Sequence, residues 1–152
     1  MKTKRLFTII LSVMLILSAM PINVFADGEQ AEITVIPNIT KMNESTEDVE
    51  VEYTISFKHL GTNSGSVGFT LKPDSGLTIS SVEVPNNDGT FMDLSYTEAT
   101  KVFTALKNDG KTFDSDALLL TVKAKIAANT VGSIKLDLDK IDVSDSTGET
   151  VL

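Results

Sequence analysis

Four aspartates fall close together near the end of the chain: Asp137, Asp139, Asp142 and Asp145. Clustered carboxylates can hold calcium through oxygen ligands, or serve as the acid and base of glycoside hydrolysis. Asp137 and Asp139 are two residues apart in a strand-like stretch, which puts both on one wet face, where solvated charge is the ordinary occupant. No Asp-x-Asp-x-Asp-Gly loop is present, and Asn87-Asp88-Gly89 and Asn108-Asp109-Gly110 read as turns. Weak peripheral calcium is the minor alternative to a plain solvent face. Nucleophilic chemistry has less to draw on. His59 is the single histidine and cysteine is absent, so a Cys–His pair is impossible and a Ser–His–Asp triad would have to use His59. That residue stands in a Gly/Asn/Ser-rich turn with no nucleophile elbow, the setting of a solvated histidine. One His and no Cys also leave zinc without its usual ligands. Sugars stack on aromatic platforms, and the chain has no Trp and two Tyr, of which Tyr53 falls on a core face. The residue inventory points to a protein that is not an enzyme and needs no cofactor.

The elements that carry these residues are strands. From Val49 to Phe57 the odd positions are apolar (Val49, Val51, Tyr53, Ile55, Phe57) and the even ones polar, giving one oily and one wet face. Such a face requires a second sheet to cover it. Residues 31–36 form a short first strand ended by Pro37-Asn38, and residues 41–48 read as a polar loop. Val67, Phe69 and Leu71 alternate before the turn Pro73-Asp74-Ser75-Gly76. Leu77 and Ile79 point inward, then Val82 and Val84, a change of parity that predicts a bulge near Ser80-Ser81. Residues 91–97 and 101–106 are weaker strands. Leu118, Leu120, Val122, Ala124 and Ile126 make a second long alternation, with Leu119, Thr121, Lys123 and Lys125 opposite. Ile134, Leu136 and Leu138 give way to Ile141 and Val143, which predicts another bulge near Asp139-Lys140. About eight strands at roughly 8–12-residue spacing, with no 3.6-residue period, indicate an all-β sandwich.

The N-terminus reads as an address. Lys2, Lys4 and Arg5 precede an apolar run over residues 6–17, and Val24-Phe25-Ala26 offers small residues at the cleavage positions. The run is shorter than the ~20 residues a membrane span requires. Residues 1–26 are therefore expected to be a cleavable signal helix and residues 27–152 a single secreted domain of bacterial type. Its removal takes Lys+Arg from 13 to 10 against 21 Asp+Glu, a net charge of −11. That acidity repels phosphate backbones and anionic lipid, so neither nucleic acid nor a membrane surface is an expected partner.

Val67-Gly68-Phe69-Thr70-Leu71-Lys72-Pro73-Asp74, continuing through Gly76-Leu77-Thr78-Ile79 to Val82-Glu83-Val84, resembles the cohesin domain. The family shape there is aromatic-x-hydrophobic-x-x-Asp, a turn and a Leu-rich strand. Residues 118–126, the turn at 129–132, residues 134–138 and Val143-Ser144-Asp145-Ser146-Thr147-Gly148 are similar to the family's closing section, so the resemblance spans residues 31–150. It implies a two-sheet jelly roll that does no chemistry and holds a dockerin-containing protein, the calcium residing on the dockerin. By the same resemblance the partner face comprises the outward sides of residues 66–72 and 118–126 and the end of residues 101–108. This assigns partner-binding positions to Ser66, Gly68, Thr70, Asn108, Leu119 and Thr121. By the resemblance, Ser66 and Gly68 stand where polar or acidic contacts are common and Asn108 where an acidic residue is common; the chain departs from this pattern, most clearly at Gly68, which offers no side chain. The family pattern also runs on through one more strand beyond Gly148, so the expectation is either an open edge beside the first strand or a chain that continues past Leu152. The function implied is docking within extracellular, cellulosome-like polysaccharide-degrading assemblies. A carbohydrate-binding or adhesin-type module of the same superfamily, with polysaccharide as partner, is the alternative.

Overall fold

Strand periodicity governs the whole architecture. The computed structural model describes residues 15–17, 20–26, 29–42, 45–58, 64–87, 89, 91–108, 117–145 and 147. Among these there is no helix, and twelve strands follow in order: β1 (Leu15–Leu17), β2 (Met20–Ala26), β3 (Glu29–Pro37), β4 (Lys41–Met42), β5 (Val49–Lys58) and β6 (Ser64–Pro73). Then come β7 (Leu77–Glu83), β8 (Phe91–Thr97), β9 (Val102–Lys107), β10 (Ala117–Ile126), β11 (Ser133–Ile134) and β12 (Leu136–Asp145). One antiparallel sheet has the order β2-β3-β5-β10-β7 and the other β12-β6-β9-β8; β11-β1-β4 form a small third sheet. The chain passes from one large sheet to the other between β5 and β6, β6 and β7, β7 and β8, β9 and β10, and, by way of β11, between β10 and β12, the winding of a jelly roll.

The two large sheets meet through the alternating apolar positions. Ile33, Val35, Val51, Tyr53, Ile55, Phe57, Leu120, Val122, Ala124 and Ile126 are buried from one side, and Val67, Phe69, Leu71, Phe103, Ala105, Leu136 and Val143 from the other. Phe69 and Phe103 stand opposite each other across β6 and β9, with ring centroids 4.9 Å apart and planes tilted by 33°. Complete burial of Tyr53, Ile55 and Phe57, with Val51 beside them, is worth on the order of 10 kcal/mol before chain entropy. This settles β5 at the centre of its sheet, between β3 and β10.

Both expected bulges are present. Ser80 is the extra residue where β7 runs beside β10, and the β12 register slips against β6 between Asp139 and Asp142, with Lys140 at φ 51°. The Pro73–Gly76 turn closes with a bond from the Leu77 N–H to the Asp74 carbonyl at 3.1 Å, and Gly76 takes φ 91°. The first strand is longer than the expected residues 31–36, and a two-residue strand, β4, replaces part of the expected loop over residues 41–48.

Two expectations are corrected. The leader was expected to be helical, yet residues 15–17 and 20–26 are strands; residues 1–14 lie outside the described residues. A helix in lipid satisfies its own backbone groups, whereas beside a folded sheet an apolar segment can satisfy them on an exposed edge. The second correction concerns β10. Its register with β5 slips between Leu118 and Leu120, so Leu118 is 42% exposed and Leu119 is completely buried, the reverse of the simple alternation.

Candidate partner-binding face

With Val67, Phe69 and Leu71 directed inward, β6 must present Ser66, Gly68, Thr70 and Lys72 outward. Directly opposed residues in antiparallel strands share a face, so the register identifies their neighbours. Ser66 lies between Ser144 of β12 and Leu106 of β9, Gly68 between Asp142 and Thr104, and Thr70 between Asp139 and Val102. β8 extends the face with Asp93, Ser95 and Thr97 opposite Leu106, Thr104 and Val102. The centre of the face is therefore small and polar, with half-buried Val102 and Leu106 as its apolar strip and aspartates at either edge.

Gly68 occupies an inner strand, where a Cβ would meet only the Phe103 carbonyl oxygen, at 3.7 Å. Neither packing nor backbone conformation demands glycine there, and its effect is to leave a shallow gap in the middle of the face. The Ser66 and Ser144 hydroxyls share a hydrogen bond at 2.6 Å beside that gap. Asp139 Oδ1 accepts from the Lys140 N–H at 2.9 Å, and the Ser95 hydroxyl donates to Asp93 Oδ2 at 3.4 Å. At the far end the Lys135 ammonium donates to Asp137 at 2.7 Å, and this hydrogen bond holds the Lys135 pKa above the ordinary lysine range. A flat face of hydroxyls, a small apolar strip and flanking carboxylates can make hydrogen bonds and apolar contact and can attract cationic groups.

The six sequence-predicted positions do not form one surface. Ser66, Gly68 and Thr70 sit together on β6, and Asn108 follows the end of the adjacent β9. The Asn108 amide is committed within the fold: Nδ2 donates to the Gly89 carbonyl at 2.5 Å. Asn87 fastens the same loop by accepting from the Gly89 and Phe91 N–H groups, at 3.0 and 3.2 Å. Leu119 is a core residue with no exposed surface. Thr121 is on β10, in the opposite sheet, between Thr54 and Glu83. Around it run charged rows, with Lys123 paired to Glu83 at 2.5 Å and Lys125 near Glu50 at 4.0 Å. The Glu83 carboxylate, as hydrogen-bond acceptor, raises the Lys123 pKa. Sequence reasoning missed Val102, Thr104, Leu106 and Ser144. Alternation marks the first three as outward members of β9, but no sequence signal states that β12 and β9 flank β6.

His59, Asp88 and Asp109 lie outside the described residues, as does the Asp145 side chain. Among the described residues no three His, Cys, Asp or Glu side chains converge as metal ligands would. Nor is any described helix long and apolar enough to cross a membrane. The aromatic rings of Tyr53, Phe57, Phe69 and Phe103 are core, and Phe91 and Tyr96 pack against it. Burial, then the charge of Glu98, raises the Tyr96 pKa.

No protein-family model matches the chain and no curated protein is similar to it in sequence. Solved structures are similar in shape. The cohesin of a complex between CaCohA2 and a variant of CaDoc0917 superposes with a TM-score of 0.51 at 17% identity, over 70% of this chain and 83% of that one. A non-cellulosomal cohesin from the archaeon Archaeoglobus fulgidus gives 0.49 at 18% identity, over 72% of this chain and 75% of its own. The type I cohesin–dockerin complex Coh-OlpC–Doc435 from Clostridium thermocellum gives 0.45 at 13% identity, over 72% and 80%. The first of these likenesses establishes that the chain has the cohesin fold.

Proposed function

We propose that this chain is a non-catalytic docking module that binds a dockerin-containing protein through the outward face of β12-β6-β9-β8. The observation that carries the reading is the flat Ser66–Gly68–Thr70 row, accessible and free of any packing need for glycine, on a cohesin-type sandwich. The cohesin CaCohA2, similar to this chain in shape, is itself held in a complex with a CaDoc0917 variant. The leader pattern supports secretion from a bacterial cell with cleavage after Ala26, and the setting proposed is an extracellular polysaccharide-degrading assembly. Calcium belongs to the dockerin rather than to this chain. The burial of its described aromatic rings weighs against the carbohydrate-binding alternative, which depends on exposed stacking platforms.

Titration of calcium-loaded dockerins against the secreted domain tests the proposal. A Gly68→Trp variant fills the gap and is expected to weaken docking at least tenfold, about 1.4 kcal/mol, while melting where the parent melts. Thr121→Ala, on the opposite sheet, should leave affinity unchanged. Absence of binding to any dockerin, combined with retention on insoluble polysaccharide, would replace this reading with the carbohydrate-binding one.

A further inference from the structure

Among the described residues, four large apolar side chains are well exposed: Ile36, Met92, Leu118 and Val131. Ile36 and Leu118 belong to the five-stranded sheet and Val131 to a turn. Met92, the most exposed of the four at 65%, is the one on the sheet of the proposed docking face. It is the extra residue of a bulge in β8, between Phe91 paired with Lys107 and Asp93 paired with Leu106. Phe91 and Leu94 pack against the core, which leaves Met92 and Asp93 as consecutive outward residues beside half-buried Leu106. A bulge protects a sheet edge equally well with a polar residue. The thioether of Met92 instead prolongs the apolar strip of Val102 and Leu106 to the rim of the face.

Two asparagines fix the loop that leads into Met92. Asn87 Oδ1 accepts from the Gly89 and Phe91 N–H groups, and its Nδ2 donates to the Phe91 carbonyl at 2.6 Å. From the end of β9, Asn108 Nδ2 donates to the Gly89 carbonyl. Bonds of this kind hold a turn in one shape, so Met92 is presented on an ordered support and little ordering remains to be done on binding. Two strand spacings and two residues of rise place Met92 about 12 Å from Gly68, inside the ~800 Å² that one partner covers in an interface of standard size. Resting on the docking reading, we infer that Met92 is an apolar anchor of the docking face, covered by an aliphatic or aromatic side chain of the dockerin-containing protein. Asn108 is its positioning residue: it acts on docking through the Gly89 carbonyl and the loop, without touching the partner.

The test uses the calcium-loaded dockerin that the parent protein binds most tightly. Met92→Ala is expected to weaken docking about fivefold with the melting temperature unchanged, and Met92→Leu, which keeps the apolar bulk, to lose less than about twofold. Hydrogen peroxide gives a second readout, because it transfers one oxygen atom to a methionine sulfur, forming the sulfoxide and water. Bound dockerin should slow this reaction at Met92 about tenfold and leave Met42, which packs against the core, at its own rate. Asn108→Asp cannot donate to the Gly89 carbonyl and should weaken docking about threefold in the parent but not in the Met92→Ala background. An equal loss in both backgrounds, or a gain in the parent, would mean that residue 108 meets the partner itself, and overturns the positioning statement. Unchanged affinity of Met92→Ala, or unchanged oxidation of Met92 in the complex, overturns the anchor while Gly68→Trp still weakens docking. If the parent binds no dockerin at all, the docking reading falls and the anchor with it.

Discussion

Tyr53 shows what a single buried group contributes. Its ring fills the core, but its hydroxyl has no hydrogen-bond partner among the described residues, and burial followed by the nearby charge of Asp74 pushes its pKa from 10.0 up to about 12. A phenol that resists ionisation in the folded state binds its proton more tightly there than when unfolded. Its contribution is therefore complete below pH 10 and is lost as pH rises towards 12. Urea unfolding is expected to lose on the order of 2 kcal/mol across that interval, and Tyr53→Phe should remove this pH dependence. At neutral pH the same substitution should be neutral or stabilising by about 1 kcal/mol, since it deletes a buried polar atom with nothing to satisfy it. Gly68 is the counterpart on the surface, where the missing side chain costs the fold little and opens the face. Gly68→Trp separates the two properties by lowering docking without lowering stability.

At the level of elements, the bulges determine which side chains reach the core. In β12 the slip after Asp139 allows Leu138 to pack against the core and Val143 to lie in it, with Asp139 and Asp142 outside. Lys140 takes a left-handed backbone conformation there, at φ 51°. Lys140→Gly is expected to stabilise the domain by about 1 kcal/mol, because glycine adopts that region without Cβ strain. Deleting Lys140 removes the extra residue and restores an unbroken alternation from Leu138 through Ile141 to Val143, so both should stay on the core face and the denaturant midpoint should change little. A loss of about 3 kcal/mol or more on the deletion would show that the bulge itself, and not only the parity of the apolar positions, is required. β10 shows the same physics from the other side. The alternation from Leu118 to Ile126 was legible, but the slip between Leu118 and Leu120 moved Leu119 from the expected outer face into the core. Hydrophobic residues at three consecutive positions satisfy either register, so pattern alone could not choose.

For the molecule as a whole, residues 1–26 carry two different signals. Their basic start and apolar run suit export, while Met20–Ala26 pairs along β3 in the full chain. Expression of the full chain in an exporting bacterium is expected to yield a soluble extracellular protein whose N-terminal sequence begins Asp27-Gly28-Glu29. An N-terminus at or before Met20 would mean that β2 is a permanent part of the domain. If residues 1–26 are removed, the remaining chain carries a net charge of −11, which disfavours binding to phosphate backbones.

The sequence by itself determined the strand class, most strand positions, two of the bulges, the turn at Pro73–Gly76 and the absence of cysteine or paired-histidine chemistry. Each of these follows from neighbouring residues, through the two-residue period of a strand and the backbone preferences of Pro, Gly and Asn. Only the tertiary structure decided that β10 lies in the sheet opposite β6 and β9, dividing Thr121 from Ser66, Gly68 and Thr70. It also decided that Asn108 fastens a loop and that β3 carries β2 on its outer edge. A strand's local pattern states which of its faces is oily, but not which sheet covers it. Sheet membership is set by long-range pairing, in which every strand competes for the same edges.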